Sequence, residues 1–127
     1  MMEVKLTDRP FIAEQHKAFV IKLVADGIFE KQLGAWAYAA AYALKHNIEV
    51  LRQGVQRAEM AMITHLDRKT LDSLLAALAA TNAANITKSS PELLAELSYY
   101  ASAGTERLKG EIGAYSSDEA YEFLLTQ

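Results

Sequence analysis

From Leu33 to Leu44 the chain reads Leu-Gly-Ala-Trp-Ala-Tyr-Ala-Ala-Ala-Tyr-Ala-Leu, without a charged residue. Ala and Leu are strong helix formers, so this stretch reads as a helix. It has no polar face, and a helix of that kind belongs among others rather than at a surface. Gly34, Ala37, Ala40 and Ala41 let neighbouring backbones come close, while Trp36, Tyr38 and Tyr42 fill wider gaps. The flanking sequence supplies amphipathic helices to cover it. The expectation is an all-α fold, a compact bundle of about five helices around this buried Ala-rich one, with 1–127 forming a single domain.

Residues 1–7 read as a loose arm. Asp8 is a candidate cap, with Arg9-Pro10 in the first turn of a helix running to about Ala25. Ile12, His16, Phe19, Val20 and Leu23 form its apolar stripe, and Asp26-Gly27 breaks it. The central helix is expected from Glu30 to His46-Asn47, where Asn suits a left-handed cap. Residues 48–66 fit neither the helical nor the strand period and read as irregular, with a helical turn or a short extended piece at 61–65. Asp67 caps a helix whose stripe is Leu71, Leu74, Leu75 and Leu78. Ser89 with Glu92, and Ser116 with Glu119, have capping-box spacing. They open a long helix from Pro91 to about Ile112 and a short one through Leu125. Gly34 and Gly104 lie inside helices and are expected where helices pack tightly.

A length of 127 residues suffices for one buried core. The net charge of -3 gives no global attraction for nucleic acid or an anionic membrane. With no cysteine, disulfides and thiolate metal sites are excluded, and cytosol is the default compartment. The N-terminus lacks the basic-then-apolar layout of a signal peptide. The central stretch falls short of the roughly 20 apolar residues that span a bilayer. A soluble cytoplasmic protein without a membrane partner is the expectation.

Catalytic and metal signatures are weak. His16, His46 and His65 are far apart, and none has a ligand partner at the helical spacing a metal site uses. His16, on an apolar stripe, reads as a satisfied core or interface histidine. Glu92 and Glu96 lie near a helix N-terminus, where carboxylates favour the helix dipole. There is no phosphate-cradling glycine loop and no nucleophile elbow. No catalytic residue, metal or cofactor is assigned on this basis.

Two segments carry what binding signal there is. Lys45, Arg52, Arg57, Arg68 and Lys69 flank the irregular stretch and are candidates for contact with nucleic acid. So few phosphate contacts imply weak, salt-sensitive binding, and a solvated loop with ordinary charges is the competing reading. No helix rich in Arg, Gln, Asn and Ser is present to read bases. At the C-terminal helix, Tyr121, Phe123, Leu124 and Leu125 are candidates for a protein interface.

Asp26-Gly27-Ile28-Phe29-Glu30, leading into Ala39-Ala40 and His46-Asn47, resembles a segment of the Dnd system-associated protein 4 family. So does the Leu- and Ala-rich run from Asp72 to Thr81, followed by Leu94, Leu97, Tyr100-Ala101-Ser102-Ala103-Gly104 and Leu108. These are small helical proteins encoded beside bacterial DNA phosphorothioation and phage-defence genes. The chain departs from the family pattern after the central helix, where Ala43-Leu44-Lys45-His46 replaces a glycine. The resemblance implies a helical fold and brings no catalytic residues with it. It leads to a first expectation of a non-enzymatic adaptor, contacting larger proteins of a DNA-modification or defence system, with a homodimer as one form. The alternative is a small DNA-binding module using the basic segment. An enzyme using buried carboxylates or His16 is the third reading.

Overall fold

Local signals place most of the helix ends. A computed structural model describes residues 2–127; Met1, the tip of the expected arm, lies outside them. Five α-helices follow one another: α1 (Lys17–Ala25), α2 (Gln32–Lys45), α3 (Arg68–Thr81), α4 (Ser90–Ile112) and α5 (Ser117–Leu125). Short 3-10 turns cover Glu14–His16, Ile63–His65 and Ala83–Thr87.

At the end of α1, Gly27 takes φ +75°, and the Gly27 and Ile28 amides donate to the carbonyls of Val24 and Leu23. This doubly bonded left-handed stop is why Asp26-Gly27 breaks the helix. Asn47 gives α2 a left-handed stop as well, with φ 51°, held by the single return of the Ile48 amide to the Ala43 carbonyl. Asp67 accepts the Thr70 amide at 3.1 Å and starts α3. Both capping boxes are formed, Ser89 with Glu92 on α4 and Ser116 with Glu119 on α5.

The chain is mainly helical but not purely so, which corrects the all-α expectation. β1 (Phe11–Ala13) and β2 (Arg57–Glu59) form a two-stranded antiparallel sheet, with Ile12 opposite Ala58. The helix expected from Asp8 therefore begins only at Lys17. The cause is long-range. Phe11, Ile12 and Ala13 are all buried, and their backbone groups find partners far away in sequence. The Phe11 amide donates to Ser98 Oγ at 3.0 Å, and the Ala13 amide to Ser102 Oγ at 2.9 Å. Trp36 Nε1 donates to the Phe11 carbonyl at 3.0 Å. A helix at 11–13 would discard the pairing with β2 and strand these buried groups.

The irregular reading of 48–66 holds over most of that segment, with the helical turn at Ile63–His65 and the extended piece earlier, at β2. The expected loose arm is strapped down over residues 2–7. Met2 and Val4 pack on the core, Lys5 N donates to Ser90 Oγ at 2.8 Å, and the Thr64 amide donates to the Leu6 carbonyl at 3.1 Å.

The core is centred on α2. Trp36, Ala40 and Ala43 are completely buried, and α1, α3 and α4 surround them. α4 comes closest, because a Cβ on Gly104 would overlap the Ala39 carbonyl of α2. Gly104 is thus the tight-packing glycine that was expected. Gly34 is not: only the Phe29 ring approaches where its Cβ would be, at 3.8 Å. No helix among the described residues is long and apolar enough to cross a membrane.

Candidate functional site

Between α2 and α3 the surface opens into a groove of about 1070 Å³. The wall from α2 consists of Gly34, Ala37, Tyr38, Ala41, Leu44 and Lys45. The wall from α3 consists of Thr70, Ser73, Leu74, Ala77, Ala80 and Thr81. Both sets step along their helices as i, i+3, i+4, i+7, i+10 and i+11. That is one face of an α-helix, repeated on each side. Short side chains at Gly34, Ala37, Ala41, Ser73 and Ala77 do not fill the space, which stays open along three turns.

Ile28, Phe29 and Leu66 extend the apolar lining. Phe29 meets Tyr38 edge-on, with ring centroids 5.6 Å apart. Tyr38 has two tasks. Its ring lines the groove, and its hydroxyl donates to the Leu124 carbonyl at 2.9 Å, tying the end of α5 beside the groove. Burial, reinforced by the neighbouring Tyr42, pushes the Tyr38 phenol above its ordinary pKa, so it stays a neutral donor.

The rim is charged. Lys31, Lys45 and Lys69 line it together with His65, Glu30 and Asp67. Asp67 is occupied by the Thr70 amide and hydroxyl. None of the three lysine ammonium groups has a hydrogen bond or ion pair among the described residues. The groove is therefore an apolar trough with unpaired cations on its edge.

The basic segment singled out in the sequence does not converge on one surface. Lys45 and Lys69 belong to the groove. Arg52 makes a two-pronged bond to Glu96 on α4, with both contacts 2.9 Å long. That bond is the main reason its guanidinium is held above its usual pKa. Arg57 Nη2 donates to Tyr99 Oη at 2.7 Å and lies 4.4 Å above the centre of the Phe11 ring. Arg68 pairs with Asp72 one turn along α3, at 3.4 Å. The three arginines clamp irregular chain to helices or neutralise a neighbour, which leaves few charges free for phosphates.

The C-terminal interface candidates also divide. Leu124 is buried and Phe123 half-buried, whereas Tyr121 and Leu125 stand 51% and 68% exposed. Beside them on the same outward face are Asp118 and Glu122, also exposed.

His16 is buried as expected, yet its Nδ1 has no hydrogen-bond partner. Burial lowers its pKa; Glu106 opposes that effect and Lys109 adds to it. Among the described residues no cluster of three His, Asp or Glu side chains could hold a metal ion. A second cleft, about 660 Å³, lies between Ile48-Glu49 and α4, with Glu106, Arg107 and Glu111 around it. Its charges are mixed.

Sequence reasoning missed the groove. Its signal is there, in the matching steps of small residues along α2 and α3. That α2 has one unpartnered stripe, however, depends on which of its residues α3 covers, and this is not a local property. The chain matches no protein-family model, no curated protein and no solved structure.

Proposed function

We propose that this chain is a non-enzymatic accessory protein that works by protein–protein contact, with the α2/α3 groove as its helix-docking surface. The observation that carries this reading is the groove itself. Two helices present the same i, i+3, i+4, i+7 face to a common open trough, which is the shape an amphipathic helix fills. The outward stripe of α5, where Tyr121 and Leu125 are exposed, is a second apolar surface open to contact. The setting in a bacterial DNA-modification or phage-defence system rests on the family resemblance of the sequence. Direct DNA binding has less support, because Arg52, Arg57 and Arg68 each already have a partner.

The test is a photo-crosslinking amino acid at Ala41, inside the groove, in the chain expressed in its native cell. A label at the exposed Ala76, outside the groove, is the control. The expected result is an Ala41-specific adduct to a helical segment, including one from a protein of the modification or defence machinery. Equal labelling from both positions would remove the groove from the proposal.

A further inference from the structure

We infer that the helix accepted by the α2/α3 groove is α5 of a second copy of this chain, exchanged reciprocally to make a homodimer. This rests on the reading of the groove as a helix-docking site.

The argument is complementarity. On α5 the outward residues Asp118, Tyr121, Glu122 and Leu125 step as i, i+3, i+4 and i+7. Tyr121 and Leu125 are large apolar side chains left in water by the folded chain. Asp118 and Glu122 alternate with them, and neither carboxylate has a hydrogen bond or ion pair among the described residues. The groove offers the opposite of each feature. It is apolar where Tyr121 and Leu125 need cover, and at its rim the ammonium groups of Lys31, Lys45 and Lys69, which outnumber the carboxylates Glu30 and Asp67 there, are in no ion pair among the described residues. Charges arranged in this way set the register of an interface and reject like-charged partners.

Size and placement agree. An α-helix rises about 1.5 Å per residue, so α5 is roughly 13 Å long and the α2 wall roughly 17 Å. The inserted helix fits within the trough. No residue of α5 lines the groove of its own chain. The Tyr38–Leu124 hydrogen bond nevertheless fixes α5 next to that groove. Inserting surface and receiving surface thus lie side by side, and a twofold axis between two copies uses both contacts at once and closes the assembly. A larger partner carrying the same acidic–apolar helical pattern competes with α5 for the groove.

The test is the mass of the full chain in solution, by light scattering across a range of micromolar concentrations. The expected result is the mass of two chains. Leu125→Glu, at an exposed position, is expected to weaken the dimer at least tenfold and leave the helix content unchanged. The double variant Lys45→Glu, Lys69→Glu is expected to weaken it by a similar factor, as is Asp118→Lys, Glu122→Lys. Combining all four changes in one chain restores pairing to within a few-fold of the parent, because the charges are exchanged and not lost. A monomer throughout the range overturns the inference, and so does a dimer indifferent to these variants. The Ala41 label then separates the two levels. If Ala41 captures a helix of another protein while the chain is a monomer, the second-copy inference fails and the docking groove stands. If Ala41 captures nothing specific, both fail.

Discussion

Gly104 on α4 lies so close to the Ala39 carbonyl on α2 that no side chain fits between them. At this contact the bundle's longest helix crosses its most buried one. Neither backbone can retreat easily. Ala39 is almost fully buried, and Ala101 and Thr105, on either side of Gly104, are buried against the same core.

Gly104→Ala should therefore be strongly destabilising, by about 3 kcal/mol, the upper part of the range for overpacking a core. Gly110, six residues further along α4, has nothing within 4 Å of where its Cβ would be. Gly110→Ala should stabilise the helix by roughly 0.5–1 kcal/mol, because Gly loses more backbone entropy on folding than Ala. Urea unfolding of the two variants provides the comparison. Equal midpoints for both would show that the α2–α4 crossing can shift.

Ser98 and Ser102 hold the strand that the sequence disguises as helix. Each accepts an amide from β1, and Ser102 also donates to the Ser98 carbonyl at 2.8 Å. Ser98→Ala leaves the Phe11 amide buried without an acceptor, a loss of about 1–3 kcal/mol. Hydrogen exchange at Phe11 in Ser98→Ala, and at Ala13 in Ser102→Ala, should speed up before global unfolding. Unchanged protection at both amides would mean that β2 alone holds the strand.

The buried His16 makes stability depend on pH. Its folded pKa lies below the ordinary 6.5, because burial disfavours the imidazolium. The unfolded chain therefore takes up the proton first as the pH falls. Stability is fully present above 6.5 and is lost as pH drops from there towards the lowered folded value. Chemical denaturation on either side of 6.5 should show this slope in the parent and a smaller one in His16→Gln. Identical slopes would place the acid sensitivity elsewhere.

The capping boxes act lower on the pH scale. Hydrogen bonds from the backbone and side chain of Ser89 hold the Glu92 carboxyl below its ordinary 4.5, and Ser116 does the same for Glu119. These contributions are present above 4.5 and disappear as the pH falls through the lowered values. Melting curves at neutral pH and at about pH 3.5 should show a smaller acid loss in the Glu92→Gln, Glu119→Gln double variant than in the parent. The parent's full acid loss persisting in that variant would count against the caps as its source.

Much of the helical framework was legible because its punctuation is local. Gly27, Asn47, Asp67, Ser89 and Ser116 each act within one turn, and their chemistry is the same wherever they occur. The charge-free run from Leu33 to Leu44 reads as central because it has no polar face, and the structure buries it except along the stripe that borders the groove, where Ala41 is exposed. The candidate site was less legible. Lys45 and Lys69 were singled out as two members of a basic set, but the sequence does not show that Arg52 and Arg57 are already engaged, because their partners lie more than 40 residues away. Only the Arg68–Asp72 pair, at i,i+4 on one helix, has a local signal.

By itself, then, the sequence determined where α2, α3, α4 and α5 lie and that α2 is buried, since helix propensity, caps and apolar faces are properties of a few neighbouring residues. Tertiary structure alone decided that Phe11–Ala13 is a strand, because its acceptors and donors come from Ser98, Ser102, Trp36 and β2. It also decided that the matching faces of α2 and α3 border an open groove instead of closing on each other. Burial and pairing are settled between segments distant in the chain, and no window of sequence contains both partners.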